Sequence, residues 1–170
     1  VLENNHFTPG VSRTVMESII ENMQMSPHVM SNDDWKEETD YYYKHDGRHL
    51  RTRIQFDSNN MNIISETTEK KMLCNSIDLK HIFQNDKRGD MDVRISLKTE
   101  SQILQPPSAS NPYLVRIKQR RRFITENKCW AFDFSMTWSG ISKSKAELSQ
   151  KNDEPTFEIE CELIDVRNYL

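Results

Sequence analysis

The feature that most constrains the fold is a two-residue alternation of apolar and polar side chains, which recurs through most of the chain. In residues 50–56, Leu50, Thr52, Ile54 and Phe56 alternate with polar residues. Successive side chains of a β-strand point to opposite faces, so this period is typical of a sheet with one buried face. The other candidate strands cover residues 40–45, 61–70, 76–84, 92–100, 114–124, 129–138 and 156–163. Seven or eight strands with short connections predict an antiparallel barrel or sandwich.

One helix is predicted before the strands, in residues 12–25. Ser12 supplies an N-cap and Pro27 follows the last turn. An apolar stripe recurs there at helical spacing and consists of Val15, Met16, Ile19, Ile20 and Met23. Asp46–Gly47 predicts a tight turn between two strands. The polar run at 142–155 predicts a mobile loop before the last strand.

Composition bounds the class of protein. The chain has 170 residues, enough for one domain with a single core, and a net charge of −3. This charge argues against a general nucleic-acid coating protein, so any basic patch must be local. No apolar run approaches the roughly 20 residues of a membrane span. The three cysteines are odd in number and widely spaced, which favours a reducing compartment over a disulfide framework.

An acidic row marks the last predicted strand, "TFEIECEL" at 156–163. Glu158, Glu160 and Glu162 share one face of that strand, while the residues between them are apolar. A solvated outer face would explain the alternation. Three adjacent carboxylates repel one another, however, so a bound cation explains the row better, and carboxylate oxygens suit Mg²⁺ or Mn²⁺.

A basic row marks the strand "LVRIKQRRRF" at 114–123. Arg116, Lys118, Arg120 and Arg122 share one face of it. An outward stripe that touches phosphates and a pocket that binds an anion are both consistent with this pattern.

Further polar residues of the predicted strands extend the two rows. They are Arg51, Arg53, Arg94, Lys98, Glu100, Asp133 and Ser135. If the sheet closes, all these side chains could share one lumen, where opposite charges would neutralise one another. Such a lumen suits a polyphosphate, whose oxygens bind arginines while a divalent metal bridges phosphate and carboxylate.

Other candidate residues have simpler interpretations. His45 and His49 flank a predicted turn and are expected at the surface rather than as ligands. Tyr41 to Tyr43 alternate between the two faces of a strand and are expected to pack in the core, and Trp130 and Trp138 are expected in the core or at its rim.

Several motifs together resemble a known enzyme family. "VRISLKTE" before a proline-containing loop, "RIKQR", "WAFDFS" and "EIECE" occur in this order. They resemble the metal-dependent RNA 5′-triphosphatases of fungi, protozoa and large DNA viruses, which are triphosphate tunnel metalloenzymes. The resemblance runs from "FTPGVS" to "EIECEL", nearly the whole chain. It implies a mainly β (α+β) domain spanning residues 1–170, a closed eight-stranded antiparallel tunnel with the N-terminal helix outside.

The resemblance also implies residue roles. The residues that bind the triphosphate would be Arg51, Lys70, Arg94, Arg116, Lys118, Arg120 and Ser135. The ligands of Mn²⁺ or Mg²⁺ would be Glu162 and Glu158. The residues that support catalysis would be Glu100, which positions the attacking water, Glu160 and Asp133.

One family motif is missing. An E-x-E strand is expected shortly before a segment like "HFTPGVS", and it does not occur in this sequence. We therefore expect a domain without its first strand, truncated at both ends.

The implied activity is removal of the γ-phosphate from the 5′ end of nascent RNA, the first step of mRNA capping. Water would attack in line without a covalent intermediate, because no cysteine has the surroundings of a phosphocysteine enzyme. The implied partners are triphosphate-ended RNA, or a nucleoside triphosphate, and an mRNA guanylyltransferase. The implied location is the nucleus, or the cytoplasm or virion for a viral protein. The sequence leaves homo-oligomerisation open.

Two alternatives remain from the sequence. A tunnel-fold relative would hydrolyse inorganic tripolyphosphate, thiamine triphosphate or a nucleoside triphosphate with the same pocket. A non-catalytic basic β-barrel would bind RNA regardless of its 5′ end, with strong salt dependence.

Overall fold

The computed structural model describes residues 10–32, 34–45, 48–56, 63–79, 93–103 and 111–164. Two helices accompany eight strands, which confirms the mainly β prediction. In chain order the elements are α1 (Arg13–Met25), β1 (Val29–Asn32), β2 (Lys36–His45), β3 (Arg48–Phe56), β4 (Ile63–Leu79), β5 (Val93–Ile103), β6 (Leu114–Thr125), β7 (Trp130–Gly140), α2 (Lys143–Lys151) and β8 (Thr156–Leu163).

All eight strands belong to one antiparallel sheet. Its order is β5-β4-β3-β2-β6-β7-β8, and β1 pairs with β6 beside this path. β2 and β3 form the predicted hairpin, although its turn at Asp46–Gly47 lies outside the described residues. Within the described ranges no pairing joins β5 to β8, so these strands are the edges of the sheet. The eight-stranded sheet is thus present, whereas closure into a tunnel stays a prediction.

Helix α1 packs on one face of the sheet, as predicted. Ser12 caps it, since its hydroxyl accepts a hydrogen bond from the Val15 amide at 3.2 Å. Met16 and Ile20 are buried against the edge-to-face rings of Phe123 and Phe134, whose centroids lie 5.4 Å apart. The apolar stripe therefore forms the first part of the core.

Helix α2 corrects the prediction of a mobile loop at 142–155. The Ser142 hydroxyl caps it and accepts from the Lys145 amide at 3.4 Å. Ala146 is fully buried against a cluster made of Val115, Ile117 and Trp138. A single small residue makes this contact, so the segment shows little apolar periodicity in the sequence. Neither helix in the described part of the chain is long and apolar enough to span a membrane.

Gly140 lets the end of β7 approach α2 closely. A Cβ atom at this position would lie 2.5 Å from the Ala146 amide nitrogen. Any larger residue would therefore push the helix away from the sheet.

The two strands predicted at 61–70 and 76–84 are one strand over most of their length. β4 runs for 17 residues and pairs with β5, with a β-bulge between Leu73 and Asn75. The part of the second prediction beyond Leu79 lies outside the described residues. The bulge explains the misreading, because it interrupts the alternation along a continuous strand.

Candidate functional site

Strand register gathers the charged side chains of five strands on one face, here called the charged face. Arg116 on β6 lies opposite Asp40 on β2, and Lys118 lies opposite Glu38. On the other side of β2, Asp40 also lies opposite Arg53 of β3. The carboxylates of β2 therefore lie between two strands rich in arginine. The helices and the apolar core pack on the opposite face.

Asp40 is the centre of this face and is fully buried. Its two carboxylate oxygens accept hydrogen bonds from Arg53 Nε at 2.7 Å and Nη2 at 3.0 Å. Lys118 Nζ lies 3.6 Å from Oδ2. Burial alone would raise the pKa of Asp40, but the hydrogen bonds and charge of Arg53, with the charge of Lys118, hold it far below its usual range. Asp40 is thus an anion at neutral pH.

Glu38 is the second fully buried carboxylate of β2. Its Oε1 accepts from Arg120 Nη2 at 2.5 Å and from Gln55 Nε2 at 2.7 Å. Its Oε2 lies 3.2 Å from Arg53 Nε. Ser65 donates to Gln55 Oε1 at 2.7 Å and so orients the amide. Glu38 therefore fixes guanidinium groups from two different strands.

Asp133 on β7 plays a similar part at the other side of β6. It is buried, and its oxygens accept from Arg122 Nε at 2.7 Å and Nη2 at 2.5 Å, and from Arg120 at 3.4 Å. Ser135, also buried, pairs with Arg120 across the strands. Asp133 and Ser135, both predicted to belong to the site, thus lie on the charged face, and Asp133 orients Arg120 and Arg122.

Lys118 is buried among these charges. Burial and the neighbouring charge of Arg116 lower its pKa, and the opposing attraction of Asp40 does not restore it. An arriving anion would stabilise the charged ammonium group.

The glutamates of β8 are on the same face but differ in exposure. Glu158 accepts hydrogen bonds from Arg116 and from the Thr137 hydroxyl, and its carboxylate lies 3.9 Å from Lys118 Nζ. Glu160 is exposed. The Glu162 side chain is 55% exposed and contacts Arg122 Nη2 at 3.1 Å. The predicted rows thus share one face and are joined through Glu158 and Glu162.

The side chains of the described residues that could ligate a metal fit a divalent ion only in part. In these ranges no three acidic, histidine or cysteine side chains converge on one point. Glu160 and Glu162 are exposed carboxylates on one side of the same strand, and Mg²⁺ often uses one or two protein carboxylates with water and substrate phosphate. Glu158 is engaged by cations and suits the orientation of Arg116 better than metal binding.

The described cysteines do not suggest a nucleophile. Cys129 is fully buried, and burial raises the pKa of the Cys161 thiol.

The remaining predicted site residues fall in different places. Arg51 is on the charged face and pairs with Glu69. Lys70 was predicted to bind the triphosphate together with Arg51, but it lies opposite Leu50 in the β3–β4 register. It is therefore on the other face of the sheet from Arg51. Arg94 is exposed, roughly 20 Å along β5 from Glu100. Glu100 pairs with Lys71 in β5–β4 register, and its side chain is outside the described part.

The charged face ends in aromatic side chains beyond Asp40. Tyr42 follows Asp40 on this face, and its ring centroid lies 6.5 Å from that of Tyr113. His49 is exposed, as predicted, and lies 6.0 Å from Tyr113 between centroids. Of the three tyrosines predicted in the core, Tyr41 packs against it, whereas Tyr42 lies on the charged face. Trp138 is buried in the core.

Glu38 and Asp40 are the functional candidates that the sequence prediction missed. They lie in "KEETD", which has acidic residues two apart, the same signal that identified the row of β8. The strand was predicted to begin only at Asp40, so the pair was never placed on one face. Their contacts with Arg53 and Arg120 explain why an arginine-rich face is stable.

The fold is similar to those of solved RNA triphosphatases. The S. pombe RNA triphosphatase Pct1 matches with a TM-score of 0.62 and 17% identity, over 94% of this chain and 57% of that chain. Pct1 in complex with the Spt5 CTD gives 0.62 and 16%, over 96% and 59%. The Mimivirus capping enzyme triphosphatase gives 0.60 and 15%, over 92% and 78%. This chain thus spans less than two thirds of each Pct1 chain.

No protein-family model and no curated protein sequence matches the chain. At these identities the structural likeness establishes the fold alone. The chain has the fold of RNA triphosphatases of the capping-enzyme type, the resemblance that its sequence motifs predicted.

Proposed function

We propose that this chain is the catalytic domain of a metal-dependent RNA 5′-triphosphatase, which removes the γ-phosphate from triphosphate-ended RNA in mRNA capping. One observation carries the proposal. The row of cations on β6 is aligned by buried carboxylates on the same face as the β8 glutamates. The fold that carries this arrangement is similar to those of solved RNA triphosphatases.

The triphosphate would bind along β6, at Arg116, Lys118 and Arg120, with Arg51 from β3 beside them. Guanidinium groups bind phosphate oxygens through charge-assisted hydrogen bonds. Glu38, Asp133 and Glu158 already hold these cations in place, so little reorganisation is needed when the phosphate arrives. Burial of Lys118 lowers the pKa of its ammonium group, and phosphate would stabilise the charged form.

Mn²⁺ or Mg²⁺ would bind at the exposed end of β8, held by Glu162 with Glu160 and, more weakly, Glu158. When bound, the metal would neutralise charge on the phosphate oxygens. Closure of the sheet into a tunnel would bring together β5 and β8, its edges within the described residues, and would enclose the charged face.

Hydrolysis would proceed by in-line attack of water on the γ-phosphorus. The new bond joins the water oxygen to phosphorus, the bond to the bridging oxygen breaks, and the products are orthophosphate and diphosphate-ended RNA. Glu100 would position the water, and Asp133 would act as a positioning residue through Arg120 and Arg122. The diphosphate end is the substrate that a guanylyltransferase requires, which makes that enzyme the proposed partner and the nucleus, or a viral compartment, the proposed location.

The test is release of labelled γ-phosphate from a short triphosphate-ended RNA by the full-length protein, with Mn²⁺ or Mg²⁺ and with a chelator. We expect metal-dependent release from the RNA. Release from inorganic tripolyphosphate without release from RNA would favour a different tunnel-fold hydrolase. Salt-sensitive RNA binding that ignores the 5′ end, without phosphate release, would favour the RNA-binding barrel instead.

A further inference from the structure

Three rings form a compact group at one end of the charged face, here called the aromatic rim: Tyr42, His49 and Tyr113. Tyr113 contacts both other rings, at centroid distances of 6.5 Å to Tyr42 and 6.0 Å to His49. The Tyr113 amide donates to the Tyr42 carbonyl at 2.9 Å, and its hydroxyl lies 3.2 Å from His49 Nδ1. The backbone of Tyr113 is therefore fixed by Tyr42, and its hydroxyl by His49.

The aromatic rim continues the row of cations. Tyr42 lies opposite Arg51 on β3 and opposite Leu114 on β6, directly beyond the pair of Asp40 and Arg116. Its hydroxyl is 3.4 Å from Asp40 Oδ2. Along β6 the rim is roughly 20 Å from the level of Arg120, near the opposite end of the face. Along β6, from Arg120 towards Leu114, the face thus changes from charged side chains to aromatic rings.

A nucleotide has the same order of chemical groups. Its phosphates need cations, and its base needs a flat ring to stack against. Tyr113 suits the second part, because its side chain is held by two neighbours and yet the residue is 47% exposed. Nearly half of this residue is therefore accessible to a base.

We propose that Tyr113, held by His49 and Tyr42, stacks on the first base of triphosphate-ended RNA. The inference rests on the proposed function and deepens it, since it explains how the site would distinguish RNA from an inorganic polyphosphate. Stacking accepts every base, so the rim selects a nucleotide without selecting its sequence.

The experiment compares Tyr113→Ala with the wild-type full-length protein on triphosphate-ended RNA and on inorganic tripolyphosphate. The readout is the ratio of kcat/KM for RNA to kcat/KM for tripolyphosphate. We expect this ratio to fall about tenfold, mainly through KM for the RNA. Tyr113→Phe is the matched control, because it keeps the ring, and it should retain most of the ratio. Equal losses on both substrates, or no loss on either, would overturn the inference.

A second measurement separates this inference from the proposed function. An RNA whose first base is 2-aminopurine reports stacking by loss of fluorescence and needs no turnover. If the wild-type protein is inactive on both substrates, the proposed function fails. Quenching by the wild type that Tyr113→Ala abolishes would still support the aromatic rim, and an absence of quenching would refute it.

Discussion

The carboxylates of β2 and Glu162 of β8 lie on the same face of the sheet but in opposite surroundings. Glu38 and Asp40 are fully buried, and they contact Arg53, Lys118 and Arg120 of the neighbouring strands. Glu162 is more than half exposed and has one arginine contact. Carboxylates are therefore occupied by internal ion pairs on β2, whereas the carboxylate of Glu162 on β8 is accessible to a ligand.

This difference indicates how an arginine-rich face can be stable and still accessible to the proposed triphosphate. Buried carboxylates on β2 and β7 neutralise and orient the cations of β6, while Glu160 and Glu162 of β8 remain accessible. Removal of a β2 carboxylate should therefore affect folding first, whereas removal of Glu162 should affect turnover first.

The largest effect is expected from Asp40→Ala. It would leave Arg53 and Lys118 buried beside a missing partner, and loss of one member of a buried ion pair costs about 3–5 kcal/mol. Urea unfolding measures this. Asp153→Asn is the control, because the Asp153 side chain is 75% exposed in a 3.7 Å pair with Arg13 and asparagine tolerates the positive φ of this position, so the loss of the charge should cost less than about 1 kcal/mol. Equal losses would contradict the distinction between the two environments.

Stability should also depend on Asp40 in acid. The folded-state pKa of Asp40 is depressed, so its contribution is fully present above the unfolded pKa of about 3.9 and is lost as the pH falls through the lower folded value. Wild-type protein should therefore lose stability steadily below about pH 4. Asp40→Asn should start less stable at pH 7 and show a shallower decline. Unfolding curves at several pH values would check this, and parallel slopes would refute it.

Glu162→Ala should reduce metal-dependent turnover about a hundredfold while the free energy of unfolding changes by less than about 1 kcal/mol. The exposed carboxylate can be removed without leaving a buried charge unpaired. Phosphate release from triphosphate-ended RNA and urea unfolding measure the two quantities. Glu147→Ala on α2, where the side chain is 54% exposed, is the matched control. Near-wild-type turnover by Glu162→Ala would remove this residue from the metal site.

Arg116→Lys should have the smallest effect, a rise in KM of about tenfold. Arg116 donates to Glu158, and its guanidinium also interacts with Tyr42, so its planar fork serves two neighbours. A lysine keeps the charge but not the fork. Arg116→Ala should be worse than Arg116→Lys in the same kinetic assay. Equal KM values for the lysine variant and wild type would show that charge alone is sufficient.

The sequence predicted strands and shared faces well where alternation is clean. The row from Arg116 to Arg122 and the row from Glu158 to Glu162 lie where their spacing placed them. In "ETTEKK", charged residues occur at both parities, so pairing with β3 was needed to show that Lys70 is on the opposite face. Contacts between distant strands, such as Arg120 with Glu38, have no signal in local spacing. Helix α2 was missed because one alanine carries its packing.

The pairing of Gly140 with Ala146 has a consequence on the far side of the sheet. These two small residues set how closely α2 approaches the sheet, and α2 is the link from β7 to β8. Ala146 packs directly behind the strand that carries Arg116 and Lys118. The distance across this apolar contact thus affects the alignment of the charged side chains on the opposite face of the sheet, so an added methyl group there would alter the proposed phosphate site.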